Sequence, residues 1–265
     1  MKEYKNVITV GCSFSSSDNG VDYLVNVGET YGDVVAKHYG AKSYNLAKVG
    51  GGIDRMCRVV LEWYRKVGSY KDTLIILGLP DFGREEIWSN GLSDWYSDGN
   101  LLFTDDDVEL KHHSNENLDK SSDLYIPNLV IYHWSLEERK KYFLNFYNDV
   151  AQFYKRTNDI IGLQSFLTLN NIDHVFFDAF YPIDTYWAKF SHNIDIGEKE
   201  LKYKVLWDDL VSRENWYVHP EYKSMVHLLE VHPEMRILEN DGHPGKEAHK
   251  YWGECLLEYI NEKNI

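Results

Sequence analysis

Seven consecutive residues, Thr73-Leu74-Ile75-Ile76-Leu77-Gly78-Leu79, form an uninterrupted uncharged run bounded by Asp72 before it and Pro80-Asp81 after it. A run this short and this apolar reads as a strand buried on both faces, as at the centre of a parallel sheet. Such a strand needs a layer above it and a layer below it. Helices alternating with strands supply both layers.

The rest of the chain has that alternation. Residues 6–11 read as the first strand, 31–38 as a short helix ended by Gly40, and 43–47 as the second strand. The segment 53–67 has apolar residues at Ile53, Met56, Val59, Val60 and Tyr64, a helical period. A long helix or helical pair is expected over 135–169, its stripe Phe143, Phe146, Tyr147, Val150, Phe153 and Tyr154 reading as core. A fourth strand is expected at 174–180 and a last helix at 246–261; shorter helices are expected at 198–211 and 221–230. No internal repeat and no linker rich in Pro, Gly or Ser divides the 265 residues. The expectation is one α/β domain over 1–265, a three-layer sandwich around a central parallel sheet. Residues 88–135, with Asp105-Asp106-Asp107, His112-His113 and no sustained period, read as an inserted excursion after the third strand that serves as a lid or rim of the site.

Two stretches carry candidate chemistry. The apolar Val7-Ile8-Thr9-Val10 ends in Gly11-Cys12-Ser13-Phe14-Ser15, so a hydroxyl stands on a tight turn at the carboxyl edge of a parallel strand. At the other end, Asp241-Gly242-His243-Pro244-Gly245 precedes the last helix. Serine is a poor nucleophile until a base takes its proton, and histidine titrates near neutrality and can do so. The bland reading of His243 is a turn residue before a helix with Pro244 at its first position. Between the two stretches, Gly50-Gly51-Gly52 precedes the helix at 53–67. Glycines let a ligand approach the backbone closely, and the N–H groups of a helix start stabilise negative charge; the bland reading is a plain strand-to-helix turn.

Charge and cysteine content narrow the classes. A formal net charge of -14 argues against binding a polyanion such as nucleic acid, whose affinity comes from Lys and Arg on phosphates. It leaves a neutral glycan or a small ester open. Aromatic residues make up 15% of the chain, read here as core and interface before sugar stacking. The 3 cysteines have no disulfide or zinc spacing. The N-terminus lacks an apolar signal region and no run is long enough to span a bilayer. A cytoplasmic protein of a reducing compartment, without membrane, metal or cofactor, is the expectation.

Taken together, Gly11-Cys12-Ser13-Phe14-Ser15, Asn45-Leu46-Ala47-x-x-Gly50, Gly78-x-x-Asp81 and Asp241-Gly242-His243-Pro244 resemble, in order and spacing, the SGNH (GDSL-like) hydrolase family. The short sets Gly-Cys-Ser-Phe and Asp-Gly-His-Pro are similar to SGNH proteins carried by phages and bacteria. The resemblance implies a flavodoxin-like fold and an esterase, acting on an O-acyl group such as the acetyl of a carbohydrate, with no cofactor. It implies Ser13 as nucleophile, His243 as base and then acid, and Asp241 as the residue orienting the imidazole. It implies the backbone N–H groups of Ser13 and Gly50, with Gly51 beside them, as oxyanion donors, and Asp81 in the third block.

Two departures stand out. The family more often places its acid three residues before the histidine, where this chain has Asn240. The family's Asn in the third block is Pro80 here, which has no N–H and no side-chain donor; Arg84 and Asn45 are the candidate substitutes. Two other classes stay open: a glycan-binding protein on a weakened hydrolase scaffold, and an acyltransferase using the same serine. Cys12 as the nucleophile is a further alternative, its side chain expected on the opposite side of the turn from Ser13.

Overall fold

The computed structural model describes residues 2–17, 27–67, 70–82, 84–89, 94–98, 149–182, 207–239 and 241–265. Its centre is a five-stranded sheet built from β1 (Asn6–Val10), β2 (Lys42–Asn45), β3 (Thr73–Leu79), β6 (Asp173–Asp178) and β7 (Trp216–Tyr217). The order is β2-β1-β3-β6-β7 and every pairing is parallel. The expected central strand is central: all of Thr73–Leu79 is buried. A separate antiparallel pair, β4 (Glu85–Ser89) and β5 (Asp94–Asp98), follows β3.

Period-two alternation sends side chains to two cores. Ile8, Val10, Ile75, Leu77 and Phe176 face α2 (Ile53–Val67) and α3 (Asp149–Leu169), packing on Met56, Val59, Trp63, Ile160, Leu163 and Leu167. Val7, Leu74, Ile76, Val175 and Phe177 face the other way. There they meet α1 (Tyr31–Tyr39), α4 (Met225–Val231) and α5 (Lys246–Lys263) through Tyr31, Val35, Leu228, Trp252, Leu256 and Ile260. This is the three-layer α/β sandwich expected from the sequence.

Local signals set the helix ends. Asp33 accepts from both the Thr30 N–H and the Thr30 hydroxyl at 2.8 Å, closing the start of α1. Gly40 ends the helix in the left-handed conformation, φ 63°. The α2 boundaries are those its apolar period predicts.

Two expectations need correction, and one strand had no expectation. β7 was not foreseen, because two residues are too short a strand to show a period. Tyr154 is 44% exposed and lies outside the core. The helix expected over 221–230 spans Met225–Val231, because the Ser224 hydroxyl caps it by accepting from the His227 N–H at 3.3 Å. Of the excursion expected over 88–135, residues 90–93 and 99–135 lie outside the described residues, as do the start of the long helix and residues 198–206. Among the described residues no helix is long and apolar enough to cross a membrane.

Candidate active site

The turn after β1 is shaped by crowding. Its N–H to carbonyl closure runs from Ser15 to Cys12 at 3.0 Å. A Cβ on Gly11 would sit 2.2 Å from the Ser15 hydroxyl, and one on Gly78 in the neighbouring strand would sit 2.6 Å from it. Only glycine at both positions lets the Ser15 side chain tuck between β1 and β3. Cys12 is fully buried in the core on the α1 and α5 side. Ser13, the next residue, has its hydroxyl 2.8 Å from His243 Nε2.

His243 arrives on a loop pinned on both sides. Its carbonyl accepts from Ile237 N–H at 3.0 Å, and Gly245 N–H donates to the Met235 carbonyl at 2.8 Å. Arg236 and Pro244 form an antiparallel bridge. A Cβ on Gly245 would lie 2.9 Å from the Met235 carbonyl, so this close approach demands glycine. The loop, not a helix, therefore holds His243; α5 starts at Lys246, with Gly245 as its cap.

Asp241 completes the line. Its Oδ1 is 2.6 Å from His243 Nδ1 and also accepts the His243 backbone N–H at 3.1 Å. One carboxylate oxygen thus both closes a local turn and meets the ring. The Asp241 side chain is 6% exposed and that of His243 21%. With a carboxylate on Nδ1, the neutral imidazole carries its proton there, which leaves the Nε2 lone pair to accept the Ser13 O–H. Phe14 packs on the ring with centroids 5.3 Å apart, and Phe180, at the end of β6, packs on Phe14 at 4.5 Å.

The glycine turn lies alongside. Lys48 N–H donates to the Gly11 carbonyl at 3.1 Å, tying this turn to the serine turn. Gly50 takes a left-handed conformation, φ 75°. Among the described residues neither the Ser13 nor the Gly50 N–H has a hydrogen-bond acceptor. Gly51 differs: its N–H donates to the Lys48 carbonyl at 2.9 Å and closes the turn.

Two more expected residues serve the scaffold. The Asn45 amide nitrogen donates to the Ser15 carbonyl at 2.8 Å, and its oxygen accepts from Ala47 N–H at 3.0 Å. Both ends of that side chain are committed to backbone. Asp81 is half-buried in a turn whose carbonyl accepts from Arg84 N–H at 3.3 Å. The Arg84 guanidinium is buried 4.6 Å over the Phe180 ring. Among the described residues no group of three or more His, Cys, Asp or Glu is arranged to hold a metal ion.

No family model matches the chain, and no curated protein matches it. Esterases are among the solved structures it resembles. One is the esterase EstA from Pseudoalteromonas sp., at 10% identity and TM-score 0.47, with 97% of each chain covered. Another is the acetyl xylan esterase Est2A from the rumen bacterium Butyrivibrio proteoclasticus, at 12% identity and TM-score 0.46; 99% of this chain covers 65% of that one. A third is a carbohydrate esterase family 2 enzyme of Corynascus thermopiles (Myceliophthora fergusii), at 13% identity and TM-score 0.44, covering 100% of this chain and 68% of that one. Identities this low transfer no residue role.

The structure adds two residues that the sequence did not point to. Phe180 lies just past the last strand residue, where position alone marks nothing. Arg156, in α3, donates to the Arg84 carbonyl at 2.9 Å across 72 residues of sequence, a contact without any local signal.

Proposed function

We propose that this chain is a serine esterase of SGNH type, with Ser13 as nucleophile, His243 as general base and acid, and Asp241 as the orienting carboxylate. The observation that carries the reading is the continuous line Ser13 Oγ, His243 Nε2 at 2.8 Å, and Asp241 Oδ1 on His243 Nδ1 at 2.6 Å. Such a line has the geometry that activates a serine for acyl transfer.

Ser13 attacks the ester carbonyl while His243 takes the hydroxyl proton, and Asp241 stabilises the imidazolium that forms. Negative charge develops on the carbonyl oxygen, and the Ser13 and Gly50 N–H groups are its donors. His243 then protonates the departing alkoxide, leaving an acyl group on Ser13. A water molecule, deprotonated by His243, attacks that acyl-enzyme, and the proton returns to Ser13 as the acid leaves.

A side-chain donor at position 80 is missing. One oxyanion donor is worth about 3 kcal/mol in acyl-transfer enzymes, so turnover is expected to be slow. The motif set resembles a family that includes carbohydrate acetylesterases beside other esterases and lipases, and an O-acetyl group on a carbohydrate is the substrate class proposed. The test is hydrolysis of p-nitrophenyl acetate by the wild type beside Ser13→Ala and His243→Ala, with a fluorophosphonate probe of Ser13. Slow turnover that vanishes in both variants supports the reading. Equal background rates in all three proteins, with Ser13 unlabelled, overturn it in favour of a binding protein on a hydrolase scaffold.

A further inference from the structure

We propose that Arg156 is a positioning residue of this esterase, clamping the glycine turn and the loop after β3 into the register that aims the Gly50 N–H. The proposal rests on the esterase reading above and adds to it a residue distant from the reacting atoms.

The Arg156 side chain is fully buried, at 0% exposure. Its Nη1 lies 3.0 Å from Asp54 Oδ2 and 2.9 Å from Asp159 Oδ2, and its Nη2 donates to the Arg84 carbonyl at 2.9 Å. Asp54 is the second residue of α2, and its other oxygen accepts from the Arg55 N–H at 2.9 Å. The Arg84 carbonyl is packed so closely on Gly52 that a Cβ there would sit 2.7 Å from it. One guanidinium therefore joins three places: α3, the first turn of α2 directly after Gly50-Gly51-Gly52, and Arg84 beyond β3. Arg55, also buried, secures the opposite end of the glycine turn by donating to the Leu46 carbonyl at 2.9 Å.

Stability alone is a weak reason for this arrangement. A buried ion pair is often matched or bettered by apolar residues of the same volume. A planar guanidinium does what an apolar side chain cannot: it fixes the relative directions of several acceptors at once. The elements it fixes are the ones that set where the Gly50 N–H points. Oxyanion donors act within a few tenths of an ångström, and a misplacement of about 1 Å can lower a rate on the order of a hundredfold. Burial pushes the Asp159 carboxyl above the usual carboxylate range, and Arg156 beside it offsets part of that rise.

The test uses the full chain with p-nitrophenyl acetate, reading kcat and KM separately, and circular dichroism to establish folding. Arg156→Met is expected to lower kcat by roughly 10- to 100-fold with KM changed by less than about threefold, the signature of lost transition-state stabilisation. Arg156→Lys should recover part of that loss. Asp54→Asn, at a carboxylate 17% exposed, keeps the Arg55 contact and weakens the clamp from its wetter side. It should lower kcat in the same direction, and adding it to Arg156→Met should cost little more, because both act on one contact. Should Arg156→Met not fold, Asp54→Asn carries the test. An active wild type beside folded variants with kcat within twofold of it overturns the clamp alone. A wild type inert to both ester and fluorophosphonate overturns the esterase reading and this role with it.

Discussion

The Asn45 side chain donates to the Ser15 carbonyl at 2.8 Å, so the last residue of β2 grips the far side of the turn that carries Ser13. The same amide lies 3.5 Å from the Thr30 hydroxyl, which in turn donates to Asp33 at the start of α1. Strand, serine turn and helix start are thereby one hydrogen-bonded unit. Asn45→Ala deletes the anchor and leaves the carbonyl of the buried Ser15 without it. The expected result is a loss of about 1–2 kcal/mol in urea unfolding together with a lower kcat. An Asn45 that instead donated to substrate would lower kcat with stability untouched, so measuring both on one variant separates the roles.

Asp241 Oδ1 serves the His243 backbone N–H and the His243 ring together. Asp241→Asn can keep the turn through its side-chain oxygen. It removes the negative charge that holds the proton on Nδ1 and stabilises the imidazolium. By analogy with other serine–histidine–aspartate sites, kcat should fall by roughly four orders of magnitude. Fluorophosphonate labelling of Ser13 should slow in parallel while the unfolding midpoint stays near the wild-type value. A variant that keeps more than about a tenth of wild-type kcat would show that another group orients the imidazole.

Pro80 ends β3 where the resembled family has a donor. Pro80→Asn restores an amide at the edge of the proposed oxyanion site. The expected change is a rise in kcat of up to about 100-fold with KM little altered, since one donor contributes about 3 kcal/mol when aligned. Unfolding should become slightly easier, because proline restricts the unfolded chain. If kcat stays flat in a folded Pro80→Asn protein, the two backbone N–H groups account for the oxyanion stabilisation by themselves.

These variants also separate what the sequence could and could not carry. β3 and α2 were legible because burial writes a pattern into consecutive residues, seven uncharged positions in one case and Ile53, Met56, Val59 and Val60 in the other. Ser13 and His243 were legible as types on turns at the right ends of elements, and 230 positions of separation did not hide them because each has its own motif. The work of Asn45 was hidden: a side-chain amide reads the same whether it faces substrate or a carbonyl 30 residues away. Arg156 was hidden more deeply, since a lone arginine in a helix normally marks a solvated face, and only the fold brings Asp54 and Arg84 to it. β7 at Trp216–Tyr217 is fixed by pairing with Phe176 and Phe177, a partner that no local pattern names.

His249, fully buried in α5 beside the Tyr31 ring at 5.7 Å, links the fold to pH. Neither of its ring nitrogens has a hydrogen-bond partner among the described residues. Burial pushes its pKa down from 6.5 to about 4, with only Asp33 pulling the other way. The folded protein therefore holds His249 neutral across a range where the unfolded chain protonates it. The stability this neutrality contributes is whole above pH 6.5, shrinks as the pH falls, and is gone below about 4. Between pH 7 and pH 5 the loss from this residue alone is about 2 kcal/mol. His174 and His219, also lowered by burial, add to the same slope, so the informative quantity is a difference between two proteins. His249→Phe keeps a ring against Tyr31 and removes the titration. Its urea stability at pH 7 should be close to wild type, because a buried polar group without a partner is lost with the imidazole. Its decline from pH 7 to pH 5 should be shallower by about 2 kcal/mol. Parallel declines in the two proteins would mean that His249 binds its proton in the folded state as readily as in the unfolded one.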